Sequence, residues 1–515
     1  MDIDVYSHCI KVTKVWTERD LQAMIAFCRP LIEMGFEKKG RKFVPKAIRT
    51  YAAATRDRKE FSFHRNQLGE LKFHLFKRHF FKEEQVTIRE HTLNRADYPK
   101  FDFKVKFMYP PRDSQPSILE YVLDNAELHP KWDAIIKMVA LQTGKGKTYI
   151  AQYVMNEMGL RTVIHFKGGY VARWKDDLEK TFEFKRGELL IVRGSKDLIA
   201  LMKMQLEGTL KAQVIIITTA TMREYFKDYE ESNGRSPLYP IKPLDFYPTL
   251  KVGFRVGDEI HQEFFNNFKI DLYTHVIKSL SLSATMESSD QFKNKMYAVA
   301  YPINQRHDGG GYDAYIAVTA LMYHLDEDTR VRFMGAQGYS HTTFEESVMK
   351  NPRLLKAYLK IIERVVYQKF IGSFEHGQKM LVFCATTDLC TIVCERLKHI
   401  HTDFNIVRYV GSLNDPYDEL LECDIGVTTI GSGGTAIDLA NLRVSLMTTA
   451  IDSRQSNEQV LGRTRRLKDF PDIVPEFVYF VCQDIEQHMK YHLNKREFFK
   501  GKVVAHGDMR SSTAL

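Results

Sequence analysis

The stretch LQTGKGKT, residues 141–148, puts two glycines, two lysines and a threonine between an apolar run and a helical pattern. Gly144 and Gly146 let the backbone fold tightly, so that its N–H groups can point at phosphate oxygens. The N-terminus of the following helix, TYIAQYVMNEM, adds partial positive charge at the same place. Lys147 would reach the β- and γ-phosphates, and the Thr148 hydroxyl would hold Mg²⁺. The expected cradle is Thr143, Gly144, Lys145, Gly146, Lys147 and Thr148, with Leu141 where the strict pattern has its first glycine. A bare Gly/Lys-rich turn is the competing reading.

A phosphate loop needs carboxylates for the metal and the water. FRVGDEIHQ supplies them at the end of an apolar run, 111 residues after Lys147. Asp258 is expected to bind Mg²⁺, together with Thr148. Glu259 is expected to orient or deprotonate the attacking water. His261 stays open between a functional and a structural histidine. A third group lies far along the chain in SNEQVLGRTRRL. On a helix, Gln459, Arg463 and Arg466 share one side. Two arginines there could grip a γ-phosphate through paired oxygens, or simply form a solvated basic helix end.

These residues need elements to hold them. From about residue 101, runs such as KMVALQ, RTVIHF, ELLIVR, AQVIIITTA, LKVGFRVGDE and KSLSLSAT alternate with amphipathic helices. Short apolar, β-branched runs between helices predict a buried parallel sheet. The pattern returns after about 375 in KMLVFCAT, NIVRYVG, CDIGVTT, VSLMTT and EFVYFVC, which predicts a second α/β lobe. Between them lie the turn HDGGGYD (307–313) and the helix PRLLKAYLKIIERVVYQKF. Residues 223–250, with four prolines, predict a long loop that is either functional and mobile or a disordered insertion.

The first hundred residues differ in composition. They hold 21 Lys and Arg against 13 Asp and Glu, whereas the other 415 hold 53 against 52. KFVPKAIRTY and KEFSFHR read as strands, and LGELKFHLFKRHFF as a helix with Leu and Phe on one face. A small basic α/β or α+β module on a near-neutral body suggests a polyanion, most simply nucleic acid. The expected division is 1–100, 101–300 and 301–515, with a linker segment near 300–350. Seven scattered cysteines lack any C-x-x-C and read as buried thiols, with Cys390 and Cys394 on one helix face. No apolar run is long enough to span a membrane, and MDIDVYSHCIKVTKVW is not a signal peptide. A cytoplasmic protein without membrane partners is expected.

In order along residues 105–470, the chain resembles the superfamily-2 helicases. PRDSQ resembles the upstream nucleotide motif, which implies adenine recognition by Gln115. LQTGKGKT resembles motif I. HFKGGYVARWKDDL resembles motif Ia, with Lys167-Gly168 in place of Pro-Thr, and TTATM resembles the next strand-contacting motif. GDEIH and SLSATM resemble motifs II and III. LVFCATTDLC, TTIGSGGTAIDLANL and QVLGRTRR resemble motifs IV, V and VI. The resemblance implies a fold of two RecA-like parallel-sheet motor lobes, and ATP as the fuel. It places Gly434 and Asp438 near the nucleotide. It gives Ser283, Ala284, Thr285 and Gln459 a coupling role, and Lys167, Thr219, Thr386 and Thr428 contacts to a nucleic-acid backbone.

Two further stretches, YSHTTFEESVMKNPRLLKAYLKIIERVV and GRKFVPKAIRTYAAATRDRKEFSFHRNQLGELKFHLFKRHF, look like the phage branch-migration helicases of the UvsW kind. Those proteins carry a small basic DNA-binding domain before the lobes. The likeness implies 3′–5′ movement on branched or forked DNA, in recombination, replication-fork processing or repair. It also implies a monomer, in the host-cell cytoplasm if phage-encoded. Three other readings stand beside it. They are an RNA helicase, a duplex DNA translocase that separates no strands, and a silent nucleic-acid-binding protein. The last would have lost Lys147, Glu259, Arg463 or Arg466, and all four are present.

Overall fold

The computed structural model describes residues 1–39, 42–124, 135–142, 144–284, 286, 288, 290–309, 313–335, 338–410, 417–431 and 439–515. It divides into two compact units, Met1–Gly310 and Gly311–Leu515.

In the first unit, seven parallel strands follow the order Leu189–Val192, Val214–Thr218, Thr162–Phe166, Phe254–Gly257, Lys278–Ser283, Ile136–Ala140, Arg306–His307. Thr162–Phe166 and Val214–Thr218 are buried at every residue. Helices on both faces of a parallel sheet select such continuous apolar, β-branched strands. One face is packed by the helix Lys147–Met158 and its neighbours, through Ile150, Val154 and Trp174.

The other face is shared with the N-terminal residues. A mixed five-stranded sheet runs Ala53–Ala54, Phe61–His64, Cys9–Thr13, Asp2–Val5, Thr87–Glu90. The helix Glu18–Cys28 lies beside it, begun by a Thr17–Asp20 capping box that the sequence reading passed over. Ile3, Val12 and Phe63 belong to the same apolar cluster as Met222, Phe268 and Tyr297 of the parallel-sheet region. Buried polar contacts cross this boundary. His8 Nε2 lies 2.6 Å from Ser279 Oγ, and the Val276 N–H donates to Ser7 Oγ at 2.9 Å. Asn66 donates to the Ala300 carbonyl at 3.1 Å. The first hundred residues therefore have no separate core.

The helix over 68–78 was expected to turn Leu and Phe inward together. Leu71 and Leu75 are buried, but Phe73 and, beyond the helix, Phe80 face water. Residues 223–250 also depart from expectation. The helix Thr219–Glu231 takes the first third, and Tyr225, Tyr239, Phe246 and Tyr247 are buried. The Tyr225 hydroxyl donates to the Ile241 carbonyl at 2.6 Å. Buried aromatic anchors make this segment part of the core, neither a mobile nor a disordered loop.

In the second unit, seven parallel strands run Ile406–Tyr409, Ile425–Thr429, Lys379–Cys384, Leu442–Met447, Glu476–Cys482, Ala317–Tyr323, Ala505–Arg510. The helix Pro352–Lys369 starts with Asn351 as cap and proline in its first turn. Two RecA-like parallel-sheet lobes, preceded by a small α/β region, are thus the architecture. Cys390 and Cys394 lie buried on the helix Thr387–Ile400, and all seven thiols are free. Among the described residues, no helix is long and apolar enough to cross a membrane.

Candidate functional site

Strand Ile136–Ala140 ends at the edge of the first sheet and turns at once into the helix Lys147–Met158. Between them, Gly144 and Gly146 have φ of 87° and 90°, which side chains with a Cβ rarely adopt. Leu141 is buried and its N–H donates to the Ser283 carbonyl at 2.8 Å. The backbone bond ties the loop to the neighbouring strand, and the Leu141 side chain packs into the apolar cluster around the helix Lys147–Met158.

Gln115 is buried, takes the Arg112 N–H at 2.9 Å and donates to the Lys145 carbonyl at 3.1 Å. A Cβ on Gly146 would meet its Nε2 at 2.5 Å. Gln115 thus holds the loop's shape from outside. Arg112 Nη1 approaches the Gly144 carbonyl at 3.5 Å, and Tyr149 donates to the Tyr109 carbonyl at 2.9 Å. Neither Arg112 nor Tyr109 was singled out in the sequence.

Residues 258–263 follow strand Phe254–Gly257 and reach, one after another, the other motifs of this unit. Lys147 Nζ donates to Glu259 Oε1 at 2.5 Å. Trp174 Nε1 donates to Asp258 Oδ2 at 2.9 Å, and the Glu259 N–H to Asp258 Oδ1 at 2.9 Å. His261 Nδ1 shares a hydrogen bond with Ser283 Oγ at 2.8 Å. Gln262 donates to the Tyr170 hydroxyl at 2.6 Å, and the Thr219 hydroxyl donates to Glu263. Glu259 has a φ of 47°, a strained conformation for a side-chain-bearing residue.

Burial and the adjacent Glu259 push the Asp258 carboxyl up to about 6, although Lys147 pulls the other way. Burial takes His261 down to about 4, so its ring is neutral near pH 7. His261 is therefore more than packing: it ties the Glu259 segment to Ser283. Trp174 is the residue that sequence reasoning missed. Its signal was an indole between charged residues in ARWKDD, where an amphipathic face alone needs no N–H donor.

The expected nucleic-acid residues fall into two kinds. Lys167 is exposed, at the start of a short turn. Thr219 and Thr428 are buried. Thr386 caps the helix Thr387–Ile400, and its hydroxyl donates to Glu345 at 2.9 Å. Ser283 is buried at its strand's end and Ala284 follows, half-buried. Thr148 is the second residue of its helix and half-buried.

In the second unit, the helix Arg454–Leu461 ends at Gly462. Arg463 sits buried in the turn after it, and Arg466 lies further on, in irregular chain. The expectation that Gln459, Arg463 and Arg466 share a helix face is thereby corrected, because the helix stops before either arginine. Arg466 pairs with Asp313 at 3.1 Å and lies over the Tyr315 ring at 5.1 Å. Thr143, Thr285, Gly434, Asp438 and the Gln459 side chain lie outside the described residues.

Neither a protein-family model nor a curated protein matches the chain. Among solved structures it is similar to a fragment of an HsdR subunit of a type I restriction enzyme from Vibrio vulnificus YJ016. The TM-score is 0.51 at 12% identity, over 96% of this chain and 82% of that one. It is also similar to Mss116p bound to ssRNA and AMP-PNP, with a TM-score of 0.47 at 16% identity over 79% of this chain and 82% of that one. A third is S. cerevisiae Dbp5 bound to RNA and ADP BeF3, with a TM-score of 0.49 at 12% identity over 78% and 90%. At such identity the restriction-enzyme match establishes the fold that the sheets already define.

Proposed function

We propose that this chain is an ATP-driven superfamily-2 DNA helicase or translocase, moving 3′–5′ and branch-migrating forked or four-way DNA. The observation that carries the ATP reading is the Lys147–Glu259 pair, 2.5 Å apart at the carboxyl edge of a parallel sheet. Ligands of open α/β sheets bind at that edge. With no nucleotide, lysine and carboxylate neutralise each other. A triphosphate arriving on the loop gives Lys147 a new anion and frees Glu259 to take the proton of an attacking water.

The Thr148 hydroxyl and the Asp258 carboxylate would supply oxygen donors to Mg²⁺, which would neutralise charge on the phosphate oxygens. Trp174 orients Asp258 for that task. His261, between Glu259 and Ser283, passes the state of the carboxylate to the neighbouring strand end. Gln115 and Gly144 to Thr148 cradle the nucleotide, joined in this reading by Thr143, Gly434 and Asp438. Arg463 and Arg466 act on the γ-phosphate, while Ser283 to Thr285 and Gln459 couple its loss to movement. Lys167, exposed, follows the DNA backbone without reading sequence, whereas Thr219 and Thr428 are buried and the Thr386 hydroxyl is held by Glu345, so these three shape the strand ends and make no direct contact. The basic residues 1–100 hold duplex arms, and the protein works as a monomer.

The test is ATP hydrolysis by the full chain with no nucleic acid, a forked DNA, a four-way DNA, a 3′-tailed duplex, a DNA–RNA hybrid and an RNA fork. Branched DNA should stimulate most. Stimulation by RNA alone overturns the DNA assignment, and hydrolysis indifferent to every strand overturns the motor.

A further inference from the structure

The helix Glu486–Phe499 turns a lysine inward. Lys495 is 3% exposed. Its Nζ donates to the Ile451 carbonyl at 2.7 Å and lies 5.2 Å from the centre of the Tyr479 ring. Among the described residues it forms no ion pair. Asp452 favours its charge from a distance, but that carboxylate takes the Asn494 amide at 2.7 Å. Burial brings the amine down to about 7. A buried ammonium without a counter-ion is costly, and an apolar side chain of the same length would fill the place without that cost. Packing alone therefore does not account for a lysine here.

The carbonyl that Lys495 holds belongs to the short stretch leading from strand Leu442–Met447 into the helix Arg454–Leu461. Three successive residues of this stretch are held from outside it. The Ala450 N–H donates to His341 Nδ1 at 3.2 Å, the Ile451 carbonyl takes Lys495, and Asp452 takes Asn494. The Tyr339 hydroxyl lies 2.7 Å from the same His341 nitrogen and also meets His488, on the helix that carries Lys495. Further along, Arg454 lies 5.7 Å from the Phe498 ring, and Lys502 lies 3.7 Å from Glu458. The helix Glu486–Phe499 and the residues just past it thus brace the segment that leads to Arg463, and Lys495 holds its entry.

Lysine, carbonyl and helix are joined directly. Asn457, buried within the helix Arg454–Leu461, donates to the Ile451 carbonyl at 3.3 Å. That helix is 8 residues long and stops at Gly462, and Arg463 sits buried in the turn after it. A short helix moves as a rigid element, so a displacement at Ile451 is carried to Arg463.

We propose that Lys495 is a positioning residue for Arg463. Its ammonium fixes the Ile451 carbonyl, and with it the helix that sets where the Arg463 guanidinium stands. This rests on the motor reading above, in which Arg463 acts on the γ-phosphate.

The experiment compares the full chain with Lys495→Met, Arg463→Ala and the double variant. Measured are steady-state ATP hydrolysis on forked DNA, fluorescent-ATP affinity and the urea midpoint. Lys495→Met should lower kcat about 10- to 100-fold, the range for a misplacement of about 1 Å. ATP affinity should stay within about twofold. The midpoint should hold or rise, since a buried charge gives way to an apolar side chain of similar length. On top of Arg463→Ala, the same substitution should slow hydrolysis by less than about twofold, because both act through one group. Unchanged kcat in Lys495→Met, with Arg463→Ala slow, overturns the positioning role and leaves the motor standing. A lowered midpoint makes the lysine structural and overturns it too, as do losses that multiply in the double variant or a loss of ATP affinity with kcat kept. If Arg463→Ala itself leaves kcat unchanged, the arginine reading falls and the positioning role with it. Wild-type protein without DNA-stimulated hydrolysis overturns both.

Discussion

The two seven-stranded sheets share one connection order, 3-4-2-5-6-1-7 by position in the chain, yet the ends of their strands are furnished differently. In the first unit, strand one runs into GKGKT, strand five into Asp258 and Glu259, and strand two into the exposed Lys167, Gly168 and Gly169. In the second unit the same places are filled by the unit's own side chains. After strand one, the Leu325 N–H donates to Asp484 Oδ2 at 2.7 Å. After strand two, the buried Glu345 takes the Ala385 N–H at 2.9 Å, and the Thr386 N–H and hydroxyl at 2.9 Å each. After strand five come Thr448 and Thr449 where the first unit has two carboxylates.

The difference teaches what a nucleotide site requires beyond the fold. Backbone N–H groups at the edge of such a sheet must find an acceptor. In the first unit Lys147 meets, among the described residues, only the carboxylate of Glu259, at the end of strand Phe254–Gly257. The second supplies carboxylates from its own chain. On the proposed reading, one topology can thus serve a phosphate site or close its own strand ends, according to which residues follow the strands.

The largest test of that contrast is at the first unit's site. Glu259→Gln or Lys147→Ala should lower DNA-stimulated ATP hydrolysis on the order of 10³- to 10⁴-fold; unchanged turnover in a steady-state phosphate-release assay would remove the motor assignment. Next, Arg463→Ala should lower turnover by about 10²- to 10³-fold while fluorescent-ATP affinity changes little. A loss of affinity with turnover kept would make Arg463 a packing residue of its turn.

The matching test in the second unit is Glu345→Ala. It leaves buried N–H groups of Ala385 and Thr386 without an acceptor and should cost about 3 kcal/mol of stability. The denaturant midpoint of the second unit should fall while ATP affinity at the first is unchanged. If instead ATP binding weakens and stability holds, the two edges are not opposites.

The smallest effect concerns pH. Burial holds the His8 imidazole well below its ordinary value and takes His275 down to about 4. Both are neutral in the fold. As pH falls below about 6.5, the unfolded chain binds protons that the fold refuses. Their stabilisation is therefore complete above that pH and declines toward pH 4, by about 2 kcal/mol at pH 5 for His275. Asp271 acts in a separate window. Burial alone would raise its carboxyl, but Arg255 holds it well below the usual range, so its contribution disappears only under about pH 4. A urea-midpoint series from pH 7.5 to 5 should show the first decline, flattened in His275→Asn.

Much of this was legible in the sequence. The runs RTVIHF, AQVIIITTA and KMLVFCAT announced their strands, because burial on both faces leaves a continuous apolar signature. The loop at 144–148 and the carboxylates at 258–259 were readable because glycine and paired acids are costly without a purpose. The strand Ala505–Arg510 was not, since AHGDMR lies at an exposed sheet edge and needs no apolar residues. Glu345 was unreadable for another reason. Its partners are about forty residues away, and no local pattern marks a side chain that completes someone else's helix. The helix expected to carry Arg463 and Arg466 failed because Gly462 ends it, a stop signal that the arginine spacing obscured.

The joint core of the N-terminal sheet has a consequence for how the protein is made. Ser7 and His8 find their partners at Thr274 to Ser279, some 270 residues later in synthesis. At about 5–20 residues per second, the first sheet waits on the order of 10 to 50 s for the surface that completes it. Until then Val12, Phe63 and their neighbours have only the cover that the helix Glu18–Cys28 and the residues near Leu71 supply. Shortening the chain from the front therefore uncovers the interior shared with the first parallel sheet rather than trimming a separate module.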